Sequence, residues 1–146
     1  MKCTVKIDRE IIENEVVVYA KEYNRLICDI EKFVATIGNE IYGYKDKESV
    51  KLYLNDIFCF TIENGRVIAI LEKEKFYLKQ RLYVIEDVLN DSFLKINQST
   101  IINKNRIKKF SVSFGGSLMV ELDNGYKDFV SRRHVKFVKQ SIGGKI

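Results

Sequence analysis

Proline is absent from this 146-residue chain, which excludes cis-proline turns and proline-set kinks from any account of its fold. Histidine occurs once, at position 134. The three cysteines, Cys3, Cys28 and Cys59, are odd in number and widely separated, with no Cys-x-x-Cys pair. So sparse a set of ligands argues against a disulfide framework or a zinc site and points to a reducing cytoplasm. No stretch approaches the roughly 18 apolar residues of a membrane span. The opening Met1-Lys2-Cys3-Thr4-Val5-Lys6-Ile7-Asp8 alternates polar and apolar residues and lacks the continuous apolar region of a signal peptide. No nucleophile has a base at a recognisable spacing, which argues against an enzyme, and no cofactor or metal is expected. Gly115-Gly116 lacks the Gly-Lys-Ser/Thr ending of a phosphate loop and reads as a bend between strands.

What the chain does have is positive charge, unevenly spread. From Phe93 onward there are eleven Lys and Arg residues against Glu121, Asp123 and Asp128, a net of +8 that leaves −3 on the first 92 residues of a chain whose total is +5. A basic stretch of this kind is by default a solvated surface, and a polarised one is also the electrostatic footprint of a nucleic-acid binder.

The pattern of apolar residues divides the chain at about residue 40. In residues 1–40, Cys3, Val5 and Ile7 share one face of a predicted strand, and Glu15 to Tyr19 reads as a second. From Lys21 to Ile37 the period becomes helical, with Leu26, Ile30, Phe33, Val34 and Ile37 recurring and Gly38-Asn39 as a stop. Such a strand-strand-helix unit is too small to stand alone and is expected to pack on the rest or on a second copy, with its helix as the candidate dimer contact.

Residues 41–146 read as mainly β, an α+β appendage aside. Asn64-Gly65 between two alternating segments predicts a two-residue hairpin turn, because both residues tolerate positive φ. One short helix is predicted around Leu82, Ile85, Val88 and Leu89. Extended segments follow over 93–102, 107–114, 118–122 and 126–130, with a turn at Asp123-Asn124-Gly125. Cys59, between Phe58 and Phe60, reads as a buried apolar residue. Tyr77, Phe114 and Tyr126 alternate as core residues would, which disfavours a single-strand stacking platform.

Three loops carry groups suited to a DNA groove: Glu63-Asn64-Gly65, Asn97-Gln98-Ser99 and Ser131-Arg132-Arg133-His134. Arginine pairs bidentately with guanine, Asn and Gln with adenine, and Ser and Lys with phosphate. Alternative readings are that the amides cap their loops, that Arg133 pairs with Asp128, and that His134 is solvated or faces phosphate.

The run Phe93-Leu94-Lys95-Ile96-Asn97-Gln98-Ser99-Thr100-Ile101-Ile102-Asn103-Lys104-Asn105-Arg106-Ile107 resembles the signature of the LytTR DNA-binding domain. So do Gly115-Gly116, Asp123-Asn124-Gly125, Val130-Ser131-Arg132-Arg133 and, upstream, Asp56-Ile57-Phe58, the Asn64-Gly65 hairpin and the Leu82–Leu89 helix. The resemblance spans roughly residues 42–142. It implies short antiparallel sheets with little helix that read the major groove of double-stranded DNA through loops, at paired repeats about one helical turn apart. By position it implies base contacts from Asn64, Asn97, Gln98 and Arg133, and phosphate contacts from Ser99, Lys104, Ser131, Arg132 and Lys136. Many members have histidine where this chain has Asn97 and a side chain where it has Gly65, so the base sequence read is not inherited. The layout is similar to stand-alone LytTR regulators, which lack a receiver domain. The chain is expected to act as a homodimer or as two monomers on adjacent half-sites, and the resemblance implies, as in some of those regulators, a small membrane-protein inhibitor. The expectation is a cytoplasmic transcriptional regulator; the alternative is a protein-interaction module of the same fold that pairs with another regulator and binds DNA weakly or without specificity.

Overall fold

A computed structural model describes residues 2–12, 15–36 and 41–144. Helix α1, Arg25–Thr36, starts where Asn24 caps it: the Asn24 Oδ1 accepts from the Ile27 N–H at 3.2 Å, satisfying one of the unpaired amides of the first turn. The expected Gly38-Asn39 stop lies outside the described residues. The two strands expected before the helix are not formed. Among the described residues of the first 24 none is in a strand, and Val5, Ile7, Val16, Val17 and Tyr19 are exposed. Alternation alone does not make a strand: with no neighbouring ladder, a lone pair of short strands is marginal in water.

The remainder is built from antiparallel strands. Seven of them, β1 (Ile41–Lys45), β2 (Glu48–Leu52), β3 (Cys59–Glu63), β4 (Arg66–Ile70), β5 (Lys75–Leu78), β6 (Phe93–Asn97) and β7 (Thr100–Asn103), form one sheet in the order β2-β1-β5-β4-β3-β7-β6. A second sheet holds β8 (Ile107–Val112), β9 (Leu118–Leu122) and β10 (Lys127–Val130) in the order β10-β9-β8. Helix α2 (Leu82–Val88) follows β5, and α3 (Arg132–Ser141) follows β10.

The central strands are buried on both faces. Phe60, Val67, Ala69 and Ile101 pack with Leu82 and Ile85 of α2 on one side. Ile68, Ile70 and Ile102 pack with Leu118, Val120 and Leu122 of the small sheet and Val138 of α3 on the other. Residues 67–70 are accordingly a continuous apolar run rather than an alternating one, as two-sided burial requires. Cys59 is fully buried, as expected.

The Asn64-Gly65 turn has φ of 52° and 75°, the positive pair that a type I′ hairpin demands. A second hairpin, between β1 and β2, turns at Asp46-Lys47, both also at positive φ. Strand β1 is absent from the sequence reading because its tyrosines and lysine dilute the apolar alternation. Its Gly43 has a structural role: a Cβ there would collide with the Phe76 side chain and lie 2.8 Å from the Leu52 Cδ1.

Two further expectations need correction. Helix α3 was not anticipated, although Val135, Val138 and Ile142 sit at helical spacing and pack on the core; the density of charge between them hid the stripe. Tyr77 and Phe114, expected to alternate as core, are exposed, Tyr77 on β5 and Phe114 fully at the β8–β9 tip, where the chain turns through Ser113–Ser117.

Candidate nucleic-acid interface

The pairing register brings the three loops to one end of the large sheet. Strand β3 ends at Glu63, paired with Arg66 across the Asn64-Gly65 turn. Its other neighbour, β7, runs antiparallel with Phe60 opposite Ile101, so the Gln98-Ser99 turn at the start of β7 emerges beside that hairpin. The Thr61 and Thr100 hydroxyls, 2.8 Å apart, join the two strands just behind the turns. The third loop is tied in by backbone: the Ser131 N–H donates to the Ile96 carbonyl of β6 at 2.9 Å.

A half-buried carboxylate locks the arrangement. Asp128 of β10 accepts from the Asn97 Nδ2 at 3.2 Å, the Thr100 hydroxyl at 2.7 Å, the Tyr126 hydroxyl at 2.8 Å and the Phe129 N–H at 2.8 Å. Since Thr100 gives its single proton to the carboxylate, Thr61 must be the donor in the hydroxyl pair. The Asn97 Nδ2 also donates to the Phe129 carbonyl at 2.9 Å, and its Oδ1 accepts from the Ser99 N–H at 2.8 Å. Thus β6, β7 and β10 share one network immediately under the loop edge. Burial, the larger effect, pushes the Tyr126 phenol up, so it stays a donor. Burial likewise raises the Cys59 thiol, with the Asp128 charge adding to it, which leaves the thiol unreactive.

Of the residues singled out for base contact, Asn64, Gln98 and Arg133 are exposed on this edge. Asn97 is 4% exposed, and both ends of its amide are committed to the Asp128 network and to the Ser99 backbone. Arg133 does not pair with Asp128, whose oxygens are taken. Of the residues singled out for phosphate contact, Ser99, Arg132 and Lys136 are exposed, and Ser131 is half-buried with its hydroxyl against the His134 Nδ1. Lys104 follows Asn103 at the far end of β7, about 10 Å along the strand from Thr100 at 3.3 Å per residue, and is not brought to this edge. His134 is lowered from its ordinary value near 6.5, first by burial and then by the positive charges of Lys95 and Arg133, with Glu86 opposing. Among the described residues no group of three or more His, Cys, Asp or Glu side chains is placed to hold a metal, and no helix is long and apolar enough to cross a membrane.

The same edge carries basic residues that sequence reasoning passed over. Arg66 lies just after the hairpin, Lys79 and Arg81 follow β5, and Lys95 belongs to β6. The available signal was a Lys-Gln-Arg tripeptide at a strand end; the net negative charge of residues 1–92 concealed it.

Residues 47–143 match the family model of the LytTr DNA-binding domain. The chain belongs to the LytTR family. Two relatives from Staphylococcus aureus, in strains bovine RF122 / ET3-1 and MW2, are each 30% identical over 144 residues, covering 97% of this chain and 98% of the relative. Both are described as uncharacterized HTH-type transcriptional regulators. In this LytTR chain the two helices of the matched region, α2 and α3, are separated by five strands, so they do not form a helix-turn-helix of consecutive helices. A solved LytTr DNA-binding domain from Bacillus cereus superposes with a TM-score of 0.66 at 19% identity, covering 71% of this chain and 96% of that one. That similarity shows the fold, short antiparallel sheets with few helices, as the sequence resemblance implied.

Proposed function

We propose that this LytTR chain is a cytoplasmic, non-enzymatic transcriptional regulator that binds double-stranded DNA sequence-specifically and reads the major groove through loops. The observation that carries this reading is the convergence of three loops on one sheet end, with Asn64, Gln98 and Arg133 exposed and a hydrogen-bonded network behind them. Gln98 and Arg133 have the donor–acceptor geometry for adenine and guanine edges. Asn97 positions the Gln98 turn from beneath. Ser99, Arg132 and Lys136 supply phosphate contacts; Ser131, half-buried, orients the loop. Arg132 and Arg133 lie in the first turn of α3, where the helix dipole adds positive potential, and Lys136 lies one turn on.

Residues 1–40 form a separate unit that pairs with a second copy, so that two domains occupy paired repeats. What supports this is the apolar surface exposed in one chain: Leu26 and Val34 of α1 and the Val16–Tyr19 run are all exposed. The same surface favours the second reading, an interaction module that pairs with another regulator and binds DNA without preference.

A mobility-shift titration tests both. DNA upstream of the protein's own operon is compared with scrambled duplex at physiological salt. A preference of about 100-fold or more, still below the usual range of specific regulators, supports the first reading. Equal, weak binding to both favours the interaction module, and absence of binding at low salt rejects DNA as the partner.

A further inference from the structure

The loop edge does not stop at the Asn64-Gly65 hairpin. Strand β5 pairs antiparallel with β4, Val67 opposite Leu78, so Lys79-Gln80-Arg81 leaves the sheet at the same end, one strand beyond Arg66. Between this connection and the Gln98 turn runs an open groove of about 1060 Å³, lined by Arg66, Lys79, Arg81, Lys95, Gln98 and three tyrosines among others.

Four cations line this groove and no carboxylate does. Among the described residues the ion pair that reaches it joins Lys95 to Glu86 at 3.4 Å. Two cations are held extended over aromatic faces: the Arg66 guanidinium lies 5.3 Å from the Tyr77 ring centroid and the Lys79 ammonium 4.3 Å from that of Tyr44. Stacking of this kind limits the conformations of a long side chain while leaving its charge exposed. Exposed cations in an open groove without a lining carboxylate, two of them held over aromatic faces, suit a polyanion.

We propose that this groove is a fourth DNA contact, in which Arg66, Lys79 and Arg81 grip the sugar-phosphate backbone flanking the bases met by the three loops. The inference rests on the DNA-binding reading above and extends it. The groove adds affinity without adding sequence information, because phosphate contacts carry none. It adjoins Gln98, so the strand it holds continues from the base-reading edge, and the footprint extends past the segment that the loops alone span.

The test is a Lys79→Gln/Arg81→Gln double variant of the full chain, titrated on cognate and scrambled duplex at several salt concentrations. Loss of two phosphate contacts reduces the slope of log K against log salt by about 1.8. The wild type then loses about 12-fold more affinity than the variant between 50 and 200 mM salt. The expected result is this shallower slope, equal proportional weakening on both duplexes, and loss of ethylation interference at flanking phosphates. Both residues are exposed, and an unchanged urea midpoint verifies the fold; Lys79→Arg/Arg81→Lys is expected to restore the slope. Wild-type slope and interference in the glutamine variant overturn the fourth contact while leaving the regulator reading intact. A loss confined to the cognate duplex overturns the backbone role. Failure of the wild-type chain to bind any duplex rejects the underlying reading instead.

Discussion

Replacing Asp128 by alanine tests whether its half-buried carboxylate holds the loop edge together. The substitution removes four accepted hydrogen bonds. Tyr126 is half-buried and the Phe129 N–H lies at the surface, so both recover water. The Thr100 hydroxyl, 1% exposed, and one hydrogen of the Asn97 amide, 4% exposed, do not. A stranded buried donor costs about 1–3 kcal/mol, more when its lost partner was charged. Thr100 regains part by turning toward Thr61. The sum is about 2–4 kcal/mol, a large share of the roughly 5–15 kcal/mol that holds a domain folded. At a urea m-value of about 2 kcal/mol/M, the unfolding midpoint falls by about 1–2 M. Asp128→Asn keeps one acceptor oxygen and loses roughly half as much. Where the variant remains folded, the Gln98 turn and the Ser131–Arg133 loop lose their common anchor, so cognate affinity drops more than affinity for random duplex. A midpoint change below about 0.3 M refutes the reasoning. So does a double-mutant cycle with Thr100→Val that is additive within about 0.3 kcal/mol.

Gln98→Ala and Arg133→Ala are each expected to cost about 1–3 kcal/mol on the cognate site and little on scrambled DNA; equal losses on both duplexes make the residue a backbone contact. Asn97→Ala is expected to act mainly on folding, lowering the urea midpoint, and a changed base preference at full stability counts against its positioning role. Gly43→Ala drives a methyl group into Phe76 and Leu52 and is expected to cost about 1–3 kcal/mol, read as a lower thermal midpoint. His134 is depressed in the folded state from a value near 6.5, so below that pH the unfolded chain binds more protons. Its contribution is therefore present above about pH 6.5 and is lost as pH falls. Urea midpoints of the wild type should drop on going from pH 7.5 to 5.5 by more than those of His134→Gln, and parallel profiles contradict the assignment.

The hairpin at Asn64-Gly65 was legible because a two-residue turn with both φ positive is nearly a local property of those residues. The two strands flanking that hairpin, the extended segments from Phe93 to Val130, the helix at Leu82 and the buried Cys59 were legible for a related reason: short-range alternation and turn residues report which side chains face inward. Motif order supplied the family, since Phe93–Ile107 and the later turns keep their spacing.

Other features depend on contacts far apart in the chain. The N-terminal alternation at Cys3, Val5 and Ile7 reads as strand, yet strand formation requires a partner ladder, and among the described residues none pairs with it. Helix α3 was masked because Val135, Val138 and Ile142 become a face only when the core meets them. Asn97 and Gln98 are adjacent amides with equivalent chemistry on paper. Tertiary structure separates them: Asp128, thirty-one positions away from Asn97, takes one into the interior and leaves the other at the edge. The cations of the β5–α2 connection join that edge only through the register of β4 with β5. The sequence by itself determined the extended segments after Phe93, the turns at Asn64-Gly65 and Asp123-Asn124-Gly125 and the family, because those depend on neighbours along the chain. Which polar groups are spent inside the fold and which face a partner was decided by strand pairing across the sheet, since burial is a property of the whole structure.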